Sequence, residues 1–138
     1  MNKSMSSIIL AVLPFTAACG DHQPYEQIRH VSGRVANQHD AGLPFMQVRC
    51  SLDNANVTAG EAVTSAGRPG FDGGTNAATV GTYECEMTES GVVGETSPVT
   101  AATTLHVLVS DPNPDGGCAA AEVTRPNTEN VDVTMHCP

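Results

Sequence analysis

The chain has 138 residues, enough for one domain, with 40% hydrophobic residues but only 4% aromatic ones and no tryptophan. Past Cys19 it keeps five basic residues, all arginine, against 15 acidic ones, a net charge of about −10. Such a surface repels phosphate backbones and anionic lipid alike, so no nucleic-acid partner is expected.

The N-terminus runs charged, then apolar, then small. Lys3 lies in a short polar start, residues 8–15 are apolar, and Thr16, Ala17 and Ala18 precede Cys19. That order is the pattern of a cleaved secretory signal, expected here over residues 1–18. The apolar run is far shorter than the ~20 residues a membrane span needs. Residues 20–27 are polar with one proline and, together with Cys19, read as a tether over 19–27. The folded part is expected over 28–138.

Residues 29–36 alternate with the period of a half-buried strand, Val31, Gly33 and Val35 on one face and His30, Ser32 and Arg34 on the other. A turn follows at 37–42. Residues 45–52 alternate again, with Met46, Val48, Cys50 and Leu52 inward. A short strand is expected at 61–64. Residues 65–79 hold Gly67, Pro69, Gly70, Gly73 and Gly74 and read as loop, anchored to the core by Phe71. Residues 81–88 are the clearest strand, with Tyr83, Cys85 and Met87 on one face and Thr82, Glu84, Glu86 and Thr88 on the other. Residues 89–98 read as loop. In 99–110 Leu105, Val107 and Val109 point inward, and the run of Thr and Val favours strand. After a turn at 111–117, residues 119–125 and 130–137 read as a closing hairpin around Pro126-Asn127-Thr128-Glu129. In its second arm Val131, Val133, Met135 and Cys137 face one way. About seven short alternating strands, with no helix after the leader, predict an all-β fold, a single antiparallel sandwich of two sheets.

Five cysteines make an odd set. Setting Cys19 aside leaves Cys50, Cys85, Cys118 and Cys137, an even number suited to an oxidising compartment, with three connectivities open. We pair Cys50 with Cys85, because both fall on inward faces of strong strands, and Cys118 with Cys137, as a staple of the closing hairpin. Strict alternation sets Cys118 and Val123 on opposite faces, so either a bulge intervenes or Cys118 precedes the strand.

Thr16-Ala17-Ala18-Cys19 resembles the lipobox of bacterial lipoproteins, with Thr16 where Leu or Val is commoner. The resemblance implies that the Cys19 sulfur carries diacylglycerol, that cleavage falls before it, and that its new amine is acylated. Several acyl chains on one residue anchor stably. It also implies the lipid bilayer as a partner and the bacterial cell envelope as the location, Gly20 favouring the outer membrane over the inner. Further on, Gly33-Arg34-Val35-Ala36-Asn37, Gly42-Leu43-Pro44, Val48, Gly70-Phe71 and Gly81-Thr82-Tyr83 resemble carboxypeptidase regulatory-like (transthyretin-like) domains. Gly81-Thr82-Tyr83-Glu84-Cys85, with Cys50 as partner and Leu105-His106-Val107 as the last strand, is similar to immunoglobulin-like domains, without that family's tryptophan. Both resemblances imply an immunoglobulin-type sandwich that serves adhesion, spacing or binding of an envelope protein or glycan. Neither implies catalysis.

One stretch has the spacing of a cation loop. Asp111, Asn113 and Asp115, with Gly116 for the turn and Glu122 at the twelfth position, match D-x-[DN]-x-[DN]-G-x5-E, whose oxygens converge on calcium. The competing reading is a Pro- and Gly-rich turn whose acids serve solubility. His30, His106 and His136 fall on outward faces of predicted strands, where two that met could bind a transition metal. We read them as surface histidines. No nucleophile elbow, phosphate-cradling glycine loop or His-Glu-x-x-His is present. Glu84 and Glu86 share a strand face, but on its solvent side and without the aromatics of a sugar cleft. The expectation is a non-enzymatic module with no cofactor apart from calcium; the alternatives are a calcium-binding or calcium-stabilised extracytoplasmic domain that uses the Asp111–Glu122 loop, and a small envelope enzyme.

Overall fold

The computed structural model describes residues 24–92, 103–113, 115, 117–126 and 128–138. These form ten strands: β1 Pro24–Asn37, β2 Gln47–Leu52, β3 Val57–Thr58, β4 Gly60–Val63, β5 Arg68–Pro69, β6 Thr75–Asn76, β7 Thr82–Val92, β8 Thr104–Ser110, β9 Ala121–Pro126 and β10 Val133–Met135. Eight of them build two four-stranded sheets, ordered β10-β1-β7-β3 and β4-β2-β8-β9, while β5 and β6 make a small separate ribbon. Alternation dictates which residues meet between the sheets. Val31, Val35, Tyr83, Cys85, Met87, Val133 and Met135 come from one, and Val48, Cys50, Leu52, Leu105, Val107 and Val109 from the other. Each buried aliphatic side chain contributes roughly 1.5–3 kcal/mol. Among the described residues Tyr83 is the only ring in this core, and its hydroxyl donates to the carbonyl of Val131 at 2.7 Å.

Covalent bonds add to a core so poor in rings. Cys50 on β2 is bonded to Cys85 on β7, joining the two sheets through their fully buried centre. Cys118, just before β9, is bonded to Cys137, just after β10. That second bond also runs from one sheet to the other, at one side of the sandwich. It sits beside an antiparallel bridge between Ala119 and His136. The loops closed are 35 and 19 residues long, worth about 3–4 kcal/mol each in the chain-entropy account.

The opposite side closes without a covalent bond. β3 pairs with β7 in the first sheet, and after Ala59 the chain continues as β4, paired with β2 in the second. One stretch of chain therefore switches sheets, and it passes hard against β7 as it does so. A Cβ at Gly60 would overlap the main-chain carbonyl of Glu86, so only glycine fits the crossing.

Several expectations need correction. β1 begins at Pro24 and pairs with β7 from Pro24 to Arg34, so residues 24–27 are strand rather than tether. β7 runs on to Val92, so residues 89–92 are strand rather than loop; 93–102 lie outside the described residues. Phe71 does not anchor its loop: its side chain is fully exposed. The closing hairpin does not form. β9 pairs antiparallel with β8, whereas β10 pairs parallel with β1, Val35 opposite Val133. The two arms have inward faces that belong to different sheets, and a turn alone cannot hold them as neighbours. The sandwich is therefore antiparallel except along β1 and β10. The expected pairings of Cys50 with Cys85 and Cys118 with Cys137 are the ones present. The parity conflict at Cys118 disappears because Cys118 precedes β9.

Gly60→Ala is expected to lower stability by about 3 kcal/mol, the upper end of overpacking costs, because the obstacle is backbone and cannot rotate away. Urea unfolding of the two proteins measures it; a loss below about 1 kcal/mol would show that the sheets can separate at this crossing.

Candidate functional site

The outer face of the β4-β2-β8-β9 sheet carries two sets of interacting polar groups. Register places them in rows across the strands. Glu61, Arg49, Leu108 and Glu122 form one row, and Ser51, His106 and Thr124 the next. Arg49 donates to Glu61 at 3.1 Å, with both side chains more than half exposed, a geometry worth little to stability. Beside this pair runs a shallow groove of about 360 Å³, lined by Gln47, Arg49, Glu61, Val63, Leu108 and Ser110.

His106 is the focus of the second row. Its Nδ1 lies 3.0 Å from Glu122 Oε2 and its Nε2 lies 3.1 Å from Asp53 Oδ1. The protonated ring donates to both carboxylates at once; the neutral ring has one N–H and can donate to only one. Its pKa is accordingly raised above the usual value, first by the hydrogen bond to Asp53 and then by that to Glu122, against an opposing effect of burial. The two ring nitrogens face away from each other, so these carboxylates lie on opposite sides of the imidazole. That arrangement is an ion-pair bridge from the end of β2 across β8 to β9, not a metal site.

The cation-loop residues are put to other uses. Asp111 Oδ1 accepts from the amide of Asn113 at 2.9 Å, and Oδ2 from that of Cys118 at 2.9 Å. These two bonds hold the Asp111 carboxyl below the ordinary carboxylate range. Asn113 Oδ1 accepts from the amide of Asp115 at 3.1 Å. Glu122 sits on β9 opposite Leu108, engaged with His106. Pro114 and Gly116 lie outside the described residues. No group of three His, Cys, Asp or Glu side chains among the described residues is placed to hold a metal ion. Asp111 and Asn113 thus brace the turn that delivers Cys118 to its disulfide, their side-chain oxygens standing in for backbone turn bonds.

The remaining histidines do not meet. His30 on β1 lies 3.7 Å from Glu84 and 3.8 Å from Glu86, all on the outer face of the other sheet. His136 follows the end of β10. Tyr83 is pushed up to about 12, by burial first and then by Asp132, so its hydroxyl stays a hydrogen-bond donor inside the fold rather than a reactive group. Cys19 lies outside the described residues.

Sequence reasoning missed one group. Glu89 is fully buried, on the same inward face as Tyr83, Cys85 and Met87. Arg29 faces the same interior from β1, opposite Met87, and is 17% exposed, with Glu129 3.7 Å away. Neither Arg29 nor Glu89 lacks an interaction partner, as a buried ionisable group requires. Continued alternation past Met87 was the available signal.

No protein-family model, curated protein or solved structure matches the chain. No helix among the described residues is long and apolar enough to cross a membrane.

Two outcomes follow from this geometry. Because the folded pKa of His106 lies above the unfolded value of about 6.5, its bridge contributes fully below that pH. The contribution is lost as pH rises through the folded pKa. Unfolding midpoints between about pH 5.5 and pH 8.5 should fall less steeply in His106→Gln than in the parent chain; equal slopes would remove the bridge from the account. Calcium provides the second check. With Asp111 and Asn113 engaged by amides and Glu122 by His106, calorimetric unfolding curves in excess calcium and in chelator should superimpose. A higher midpoint in calcium would show that these bonds give way to the ion.

Proposed function

We propose that this protein is a lipid-anchored, non-enzymatic module of the bacterial cell envelope, acylated at Cys19, whose sandwich binds a partner or holds one in place. The observation that carries the proposal is the cysteine pairing. Cys50 with Cys85 and Cys118 with Cys137 account for four of the five cysteines, and the fifth, Cys19, is the one at the end of a signal-like leader. Two disulfides suit an oxidising compartment. A strand that starts at Pro24 leaves only a few residues between the anchor and the fold. The outer membrane is favoured over the inner by Gly20, and the net charge of about −10 past Cys19 keeps the domain off anionic headgroups.

The immunoglobulin-type reading of the sandwich belongs to the same proposal. It draws support from a disulfide that joins the two sheets and from Tyr83 two residues before its second cysteine. The non-enzymatic reading rests on what the polar groups already do. His106 is held by two carboxylates, Asp111 by two amides, and the Tyr83 hydroxyl by a buried carbonyl.

Mass spectrometry of the protein extracted from membranes tests the anchor. The expected result is a chain that starts at Cys19 and carries acyl groups there, with the two disulfides intact. A mature chain that starts elsewhere, or an unmodified Cys19, would overturn it.

A further inference from the structure

Among the described side chains past the leader, the chain has three aromatic rings, and two of them are outside the core. Phe71 is fully exposed and Phe45 is 62% exposed. Exposed apolar side chains scattered singly need no explanation. These two are not scattered: they stand at the same pole of the sandwich.

The strand register shows this. β1 starts opposite the end of β7, Pro24 facing Val92, and ends near its start, with Arg34 facing Thr82. Call the start of β1 the near pole. Gln47 pairs with both Val63 and Ser110 at the far pole, and Phe45 lies just before Gln47. The chain from Thr64 to the start of β7 returns to that pole too, because Ser65 donates to the carbonyl of Thr82 and Gly81 to that of Ser65, both at 2.9 Å. The β5–β6 ribbon projects from this segment, with Phe71 in its turn. Phe45 and Phe71 are thus carried on neighbouring far-pole loops.

Both are also held in place. The ribbon turn is fixed by Gly70 donating to the Gly74 carbonyl at 2.5 Å, Gly73 to the Gly70 carbonyl at 3.2 Å and Gly74 to Asp72 Oδ1 at 3.0 Å. Its root is tied by Arg68, whose amide donates to Thr79 Oγ1 at 2.7 Å. Phe45 has φ +63°, a left-handed conformation that costs a bulky residue about 1–3 kcal/mol. The buried Thr64 enforces it. Its hydroxyl accepts from the Met46 amide at 2.9 Å and donates to the Leu43 carbonyl at 2.5 Å, while its own carbonyl accepts from the Phe45 amide at 3.0 Å. Glycine would suit that conformation better, and burial of the ring does not explain why phenylalanine stands there.

We infer that the far-pole loops carrying Phe45 and Phe71 are a docking surface for a protein partner whose apolar pocket is rimmed by lysine or arginine. Charge selects that occupant. Asp40, Asp72, Asp111 and Asp115 lie on far-pole loops against Arg34 and Arg68, and Arg34 is already paired with Asp40 at 3.2 Å. An excess of acidic side chains on the loops of the pole that carries these aromatic anchors complements a basic rim and disfavours anionic lipid and a second copy of this chain. The inference deepens the binding reading above but is independent of acylation: the mass of Cys19 can fail while this surface stands, and the reverse.

The test uses full-length protein in the cells that make it. Photoreactive benzoylphenylalanine is placed at position 71, at position 45 and, as a near-pole control, at the exposed Asn56. The inference expects a protein cross-link from 71 and 45 but not from 56, at a peptide containing lysine or arginine beside apolar residues. The cross-linked protein, purified, should bind the full chain with an affinity that drops as salt is raised. Phe71→Ala should weaken it ~10-fold or more. Phe71 touches nothing that folding needs, so that variant stays folded. Phe45→Gly should raise the melting temperature while it weakens binding. Cross-links to lipid, glycan or a second copy, equal labelling from 56, no cross-link, or unchanged affinity in Phe71→Ala would each overturn the inference.

Discussion

The bond between Cys50 and Cys85 ties the centre of β2 to the centre of β7, with both residues fully buried. Around it the core is aliphatic and thin, valine and methionine with one tyrosine. Side chains of that size bury little area each, and chain entropy opposes folding by an amount similar to the whole hydrophobic gain. A cross-link that shortens the unfolded ensemble acts on the entropic side of that balance. The second disulfide does the same at one side of the sandwich. At the other side, noncovalent closure depends on the absence of a single Cβ at Gly60.

Closure of both sides determines where interaction surfaces lie. The inner faces are occupied, the strand that switches sheets covers one side, and the disulfide and the Ala119–His136 bridge cover part of the other. What remains are the two outer faces and the two poles. The outer faces carry mainly polar and charged side chains, with His106 and His30 each facing two carboxylates, beside the exposed aliphatic Ile28, Val63 and Leu108. The far pole is different in kind, because among the described residues it alone combines exposed rings with a backbone held against its preference. Pro24, the first described residue, stands at the near pole, opposite the exposed rings.

Much of the fold was legible because alternation is a local property. The inward positions of β2, β7 and β8 follow from period two, and the structure buries each of them. The same logic placed Cys50 and Cys85 on facing inner surfaces. Its limits show at Phe71, where hydrophobicity pointed inward but a glycine-rich ribbon held the ring outside. They show again at Glu89, read as the first residue of a loop, although the strand and its alternation continue through it. The acidic loop had the spacing of a cation site, but spacing does not say which hydrogen atoms the oxygens will accept. Backbone amides released by the turn lay nearer, and Glu122 belonged to a strand whose outer face already held a histidine.

By itself the sequence determined an all-β chain, its inward residues, an even set of four cysteines past Cys19 and a strongly acidic surface, since each follows from composition or from neighbours along the chain. Only the tertiary structure decided that the last two strands part into different sheets. It also decided that one strand crosses between sheets at Gly60, that His106 meets Asp53 and Glu122, and that two phenylalanines share a pole. These are relations between residues far apart in sequence, set by which sheet edge remains open when a strand arrives, and no local periodicity encodes them.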